Sequence, residues 1–414
     1  MRGEERRFAR RRNVAVSALV ALLGLLNCLP AADACAQGTH GREYVYRRPL
    51  QTDDGWRTAS LADVGMDTGR MVEFMNSLAR RPEHWLHSVV VVKDGRLVFE
   101  EYFPGRAGDI SHLATSFGPV FVPRRFDRDS LHILASASKS VTSILLGIAI
   151  DEGLVRGTEE TLLSFFPDYA QRFDSLRSRI TLAHMLAMAA GLRWSEGRPY
   201  DDPRNNLTAA WFSEDPVGHL LATPIEAAPG ERFRYSSGVT DLLGEVVRRR
   251  SGMTVQEFAA RRLFAPLGIT HFEWAAYPYA PSLAMAASSL HLRPRDMAKI
   301  GQLYLDGGVW NGTRVVSEEW VNRSTRPAVH VDPAQCEIPI GSPGYGYQWW
   351  LGTFTAGNTQ TYFAAGFGGQ FIFVIPAPRI VVVITAGGFD ADTRNYQPMV
   401  QVVNDYVLPA AGVR

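Results

Sequence analysis

Only three lysines stand among the 43 lysines and arginines of this 414-residue chain. One of them, Lys139, follows Ser136 by three positions at the head of an apolar stretch that runs to Ile150. Where a chain writes arginine almost everywhere, a lysine marks a place where arginine fails. Arginine keeps its proton in a protein and cannot act as a base, whereas a lysine in a partly dry site can. On a helix, residues three apart share a face, so the Ser136 hydroxyl and the Lys139 amine would point into one cleft. Ser136 would sit at the helix entrance, where unpaired N–H groups and the positive end of the macrodipole favour negative charge on an oxygen. Burial of Val141–Ile150 would lower the amine pKa by desolvation and make its neutral form available. The chemistry of such a pair is acyl transfer. Serine is common, so this spacing carries weight only with partners downstream.

Two segments could supply them. Tyr235, in Phe233-Arg234-Tyr235-Ser236-Ser237-Gly238, lies between the turn Ala228–Glu231 and an expected helix. A phenol there, its pKa depressed by the nearby ammonium, could share the Ser136 proton and pass it to a leaving group. Ser237 would offer a hydroxyl to Lys139 or to the substrate. A lone tyrosine more often anchors a turn. The second segment is Ala365-Gly366-Phe367-Gly368-Gly369-Gln370, leading into an apolar run. Glycines at a strand edge let a substrate approach the backbone, and an N–H from this edge opposite that of Ser136 would form an oxyanion hole. Phe367, Gly368, Gly369 and Gln370 are therefore assigned to oxyanion or substrate contact.

These residues need a frame. Ser88–Val92 and Leu97–Phe103 flank Asp94-Gly95, a strong hairpin signal, and Phe371–Ile375 with Ile380–Thr385 flank Pro376–Arg379. Between these ends the pattern predicts helices over Thr181–Ala189, Val239–Arg250, Thr254–Phe264, Pro294–Leu305 and Ser317–Arg323. The fold class is α+β: an antiparallel sheet built from both chain ends, covered by helices, beside a mainly helical lobe. The sheet lobe spans about 60–130 and 330–414, and the helical lobe about 131–330. Pro104–Ser130 and Arg326–Gly346 read as long loops shaping the cleft.

Residues 1–36 read as a secretory signal peptide, leaving 37–414 as the domain that carries the Ser136 and Lys139 chemistry. Six arginines from Arg2 to Arg12 precede the apolar run Val14–Leu26 and the small residues Ala31–Ala36. The run is too short to span a bilayer, so no stable membrane span is expected in the mature form. Arg11-Arg12 leaves a twin-arginine route open. The expected destination is periplasmic or secreted, with lipid attachment at Cys28 or Cys35 disfavoured by Asn27 and Asp33. Cleavage removes six arginines against three acids, so the formal charge of +1 becomes about −2 and nucleic acid is not an expected partner. Cys336 alone is certain to remain, so the core and not a disulfide framework would stabilise the mature chain.

No G-x-S-x-G elbow, no H-E-x-x-H and no Cys/His cluster occurs, so no metal or cofactor is implied. His184 and His291 are expected to pack against or cap helices, and Lys299 to lie on a solvated helix face. Trp349-Trp350, after Tyr345 and Tyr347, could line an apolar cleft or belong to the core.

Taken in order, the S-x-x-K segment, the Tyr235 segment and the glycine-rich edge resemble the serine β-lactamase and DD-peptidase superfamily. The class C branch looks closest, and within it the 6-aminohexanoate-dimer hydrolases and related esterases. Leu186–Trp194 and Leu292–Gly301 are also similar to family segments, and the resemblance runs from about Leu61 to Asp405. It implies a β-lactamase/transpeptidase-like fold, Ser136 as acylated nucleophile, Lys139 as base and Tyr235 as proton relay. It also implies that Tyr200 contacts substrate. Two departures stand out: Ser237 where the class C pattern has asparagine, and Phe367 where it has lysine. The second removes the charge that would grip a substrate carboxylate. The expected substrate is a small ester or linear amide, ahead of a β-lactam or peptide cleaved by a β-lactamase or DD-peptidase. A penicillin-binding or ligand-sensing protein that acylates without turnover would carry the same residues.

Overall fold

Asp94 and Gly95, at φ 51° and 70°, turn strand Leu86–Lys93 directly back as Arg96–Tyr102. A two-residue turn with both centres left-handed matches the twist of its strands, and glycine bears that φ without strain. The computed structural model describes residues 43–81, 84–109, 120–197, 202, 204–389 and 395–414. The C-terminal hairpin, Gln370–Ile375 and Ile380–Ala386, pairs antiparallel with the first one through Val381↔Val92 to Ile384↔Val89. An eight-stranded sheet results, in the order Arg57–Thr58, Arg96–Tyr102, Leu86–Lys93, Ile380–Ala386, Gln370–Ile375, Thr359–Gly366, Trp350–Phe354, Gly341–Tyr345. Only the outermost pair, Arg57–Thr58 with Arg96–Tyr102, is parallel. The sheet therefore draws on both chain ends.

The central strands are unbroken apolar runs because both faces are covered. Val89–Val92, Phe371–Ile375 and Ile380–Ile384 are completely buried. Helix Pro294–Leu305 presses on one face so closely that a Cβ on Gly301 would lie 2.5 Å from Val381 Cγ1 and 2.9 Å from Ile372 Cγ2. On the opposite face, by strand alternation, Phe99 meets Phe74 of helix Thr68–Ala79, with ring centroids 6.4 Å apart.

The helical region is centred on Ser138–Asp151, of whose 14 residues Ser138–Ala149 are all buried, so it is a core helix with no solvent stripe. It packs against Ser237–Ser251, which stops at left-handed Gly252. Thr254 and Glu257 form the expected capping box, after which the chain continues through a π-helical turn, Ala260–Phe264. His184 closes a capping box on Thr181.

Several expectations need correction. Pro104–Ser130 is not all loop, because Pro104–Asp109 and Val120–Arg125 form an isolated two-stranded ribbon. Pro123 is tolerated there because the ribbon has open edges. Within Arg326–Gly346, the loop-like Gly341–Tyr345 is the outer strand of the main sheet, bulged between Gly341 and Gly344, where a proline again costs no ladder bond. His291 lies in strand Leu290–Leu292, two residues ahead of Arg293, the N-cap of helix Pro294–Leu305. Lys299 is fully buried, paired with Asp296 at 2.9 Å and donating to the Gly268 carbonyl, because its helix is sandwiched between the sheet and the turn at Gly268.

Candidate active site

The chain enters the site along His132–Ile133, whose next residue donates from Leu134 N to Leu290 O at 2.8 Å. It then bends sharply. Ala135 takes φ 46°, a left-handed value that strains an alanine by on the order of 1 kcal/mol, and the bend lifts Ser136 out of the strand line. Ser136 therefore lies in a 3₁₀ turn, Ala135–Ala137, just ahead of the α-helix and not within its first turn. Ser138 pins that turn, donating from Oγ to Ala135 O at 2.7 Å and accepting from Leu290 N at 3.2 Å. From His132 to Ala149, Ser136 alone keeps partial exposure. The one accessible residue of this buried stretch is the one with a hydroxyl that could attack.

Lys139 stands on the next helical turn and is 1% exposed. Its Nζ donates to Ser136 Oγ at 2.9 Å and to Ala287 O at 3.0 Å. Burial pushes its pKa down from 10.5 to about 8, against the opposing pull of Glu196 and Asp241. About a tenth of such amines are neutral at pH 7.

Tyr235 comes from the turn before helix Ser237–Ser251, and its phenol interacts with the Ser136 hydroxyl. The ring is wedged between sheet-edge aromatics: it stacks on Trp350 at 6.0 Å and meets Tyr345 edge-on at 6.4 Å. Trp350 is thus a site wall, whereas Trp349 is wholly buried and stacks on Tyr304 in the core. The phenol pKa is raised by burial and then by Glu196, contrary to the expected depression. Lys139 loses its proton near 8, well before so buried a phenol could ionise, so no ammonium offsets the desolvation of the phenolate. The phenol keeps its proton at neutral pH and is suited to give one. The amine is suited to take one.

Ser237 does not face Lys139. Its N–H and hydroxyl both donate to the Glu196 carboxylate, at 2.9 and 3.0 Å, and Trp194 Nε1 donates to the same group. Glu196 is a site residue that sequence reasoning missed, since no spacing ties it to a serine 41 positions later. Asp241, buried behind Lys139, was missed as well. Two acids one helical turn apart, Asp241 and Glu245, in the mostly apolar Val239–Val247 run were a usable signal.

The glycine-rich edge abuts the serine turn. Gly366 closes strand Thr359–Gly366, and a Cβ there would lie 2.0 Å from Leu134 O, so only glycine permits the approach. Phe367, Gly368 and Gly369 form the turn to Gln370. Phe367 is partly exposed and meets Phe389 at 5.8 Å. Gly368 and Gly369, at φ 85° and 95°, face Phe389 and Met399, so their lack of side chains serves packing. Gln370 is fully buried and braces the turn, donating to Phe367 O and Ala386 O and accepting from Ala386 N. Its side chain is not presented to a substrate. Tyr200 lies outside the described residues.

A neutral amine hydrogen-bonded to an accessible alcohol, beside a protonated phenol, can carry out acyl transfer. A family model described as Beta-lactamase matches residues 86–401. The chain belongs to the beta-lactamase family. As its related hydrolases and esterases are, it is a serine hydrolase, with the mixed α+β β-lactamase/transpeptidase fold. It is 27% identical over 334 residues to 6-aminohexanoate-dimer hydrolase of Paenarthrobacter ureafaciens, covering 77% of each chain. It is 28% identical over 201 residues to lovastatin esterase of Penicillium rubens, covering 44% of this chain and 48% of that protein. In fold it matches the octameric penicillin-binding protein homologue from Pyrococcus abyssi, with a TM-score of 0.61 at 19% identity, covering 83% of this chain and 78% of that one. Among the described residues no helix of this family member is long and apolar enough to cross a membrane.

Proposed function

We propose that this beta-lactamase family member is an exported hydrolase that cleaves a small ester or linear amide through an acyl-enzyme on Ser136. The observation that carries the reading is the 2.9 Å contact between Lys139 Nζ and Ser136 Oγ, made by a lysine that burial brings to about 8. Neutral Lys139 takes the Ser136 proton as Oγ attacks the substrate carbonyl. The Ser136 N–H and the backbone edge at Gly366–Phe367 receive the developing oxyanion. Tyr235 protonates the departing alcohol or amine, and the Lys139 ammonium restores the phenol. In the second half water attacks the acyl carbonyl, its proton leaves through the same groups, and Ser136 is released.

The ester and amide preference rests on charge. Phe367 offers no cation for a substrate carboxylate, and Glu196 adds a negative charge beside Tyr235. A β-lactam or a peptide with a free carboxylate would meet repulsion here, while a neutral ester would not. The similarity to a 6-aminohexanoate-dimer hydrolase and to a lovastatin esterase supports the same choice. Export rests on the basic start, apolar run and small-residue site of residues 1–36.

The test is mass spectrometry of the intact protein mixed with p-nitrophenyl esters, linear amide oligomers and a chromogenic cephalosporin. The expected result is a transient adduct on Ser136 with turnover of an ester or amide, absent in Ser136→Ala. Full activity in Ser136→Ala would end the assignment. A permanent adduct without product would instead support a ligand sensor.

A further inference from the structure

Asp241 is completely enclosed, on helix Ser237–Ser251 and outside the Ser136, Lys139 and Tyr235 group. Its Oδ1 accepts the Ala287 N–H at 2.9 Å and its Oδ2 accepts the Tyr277 hydroxyl at 2.6 Å. The same Ala287 presents its carbonyl to Lys139 Nζ at 3.0 Å. The neighbouring Ala286 carbonyl accepts from Thr142 Oγ1 at 2.9 Å, so this segment is tied to the nucleophile helix at two points. Asp241 on one side and Lys139 on the other therefore grip one residue.

We propose that Asp241 is a positioning residue for the acyl transfer: it fixes Ala287 so that the Lys139 amine stays directed at Ser136, and its charge sets how tightly that amine holds a proton. The proposal rests on the serine hydrolase reading above. Lys139 has two other partners, the Ser136 hydroxyl and the Tyr235 ring, and neither fixes its direction from behind. The acids acting on the amine are Glu196 from the loop after helix Leu182–Leu186 and Asp241 from the helix behind it. Asp241 itself is faced by Tyr277, Lys139 and Glu196. Burial raises its carboxyl to about 7, while Tyr277, the Ala287 N–H and Lys139 hold it from rising further. Near neutral pH its charge therefore changes just below the range in which Lys139 titrates.

The sign of the effect follows. Asp241→Asn keeps an acceptor for Ala287 but removes a negative charge, so the ammonium loses support and the amine deprotonates at lower pH. The acid limb of kcat/KM for a neutral p-nitrophenyl ester should then move down by about half to one pH unit. Tyr277→Phe removes the hydroxyl bond that favours the Asp241 carboxylate, and should move the limb in the same direction by less. A merely structural brace would lower the melting temperature and leave the limb in place. An unmoved limb in folded Asp241→Asn overturns the proposal. Should that variant fail to fold by circular dichroism, an unmoved limb in Tyr277→Phe does so. Mass spectrometry of Ser136 separates the two levels: a wild-type adduct with an unmoved limb refutes the role of Asp241, whereas no wild-type adduct refutes the hydrolase reading and this inference together.

Discussion

Ser237 and Glu196 are joined by two hydrogen bonds, from the serine N–H at 2.9 Å and its hydroxyl at 3.0 Å. The carboxylate thus caps the entrance of the helix behind Tyr235, where the macrodipole also favours it. Ser237 acts as the anchor of an anion and not as a donor to the lysine.

Removing that charge should change which substrates are accepted. Glu196→Gln keeps the size of the group, so a neutral ester should be cleaved within a few-fold of the wild-type rate. An ester with a terminal carboxylate, such as a succinyl monoester, should gain roughly tenfold in kcat/KM relative to the neutral one. Equal effects on both esters in steady-state assays would show that Glu196 does not sort substrates by charge.

The same burial that readies Lys139 opposes folding. Its folded pKa, about 8, lies below the unfolded value of 10.5, so the unfolded chain binds more protons between these two pH values. The penalty, about 3 kcal/mol from the size of the shift, is fully present below pH 8 and fades as pH rises towards 10.5. Lys139→Met should be inactive yet more stable than wild type at pH 7, and urea titrations should show the gap closing between pH 8 and 10.5. A gap independent of pH would contradict this origin.

Tyr235→Phe tests the donor. If the phenol protonates the leaving group, loss should track leaving-group basicity: on the order of 10²–10³ in kcat for an alkyl ester or amide, and far less for a p-nitrophenyl ester. A uniform loss across leaving groups would assign the ring to packing against Trp350.

Gly301→Ala should destabilise without altering the chemistry. Its Cβ would meet Val381 and Ile372 at 2.5 and 2.9 Å, a contact that costs about 1–3 kcal/mol when it forces apart a helix and a sheet. Urea midpoints should fall while kcat holds steady at low temperature.

The parts of the fold legible beforehand were those encoded over short stretches. Asp94-Gly95 announced its hairpin, the Thr254 and Glu257 pair its helix start, and Ser136 with Lys139 a hydroxyl and an amine in contact. What stayed hidden arises between distant segments. Nothing local joins Glu196 to Ser237, or Asp241 to Ala287 46 residues on, and Lys299 looks solvated until the turn at Gly268 closes over it. Gly341–Tyr345 has the composition of a loop and becomes a strand because a sheet edge waits for it. The phenol of Tyr235 follows the same rule, since the burial that raises it comes from Tyr345 and Trp350 on distant strands.

The central ladder joins Ser88 to Thr385, 297 positions apart in the chain, whose hydroxyls meet at 2.7 Å. During synthesis the first hairpin must therefore wait, one edge unprotected, until the ribosome has made strand Ile380–Ala386. Contacts this remote in sequence form slowly and leave sticky β edges open meanwhile. The Gly366 edge that abuts Ser136 is made 230 residues after that serine, so catalytic competence can appear only once both segments have left the ribosome.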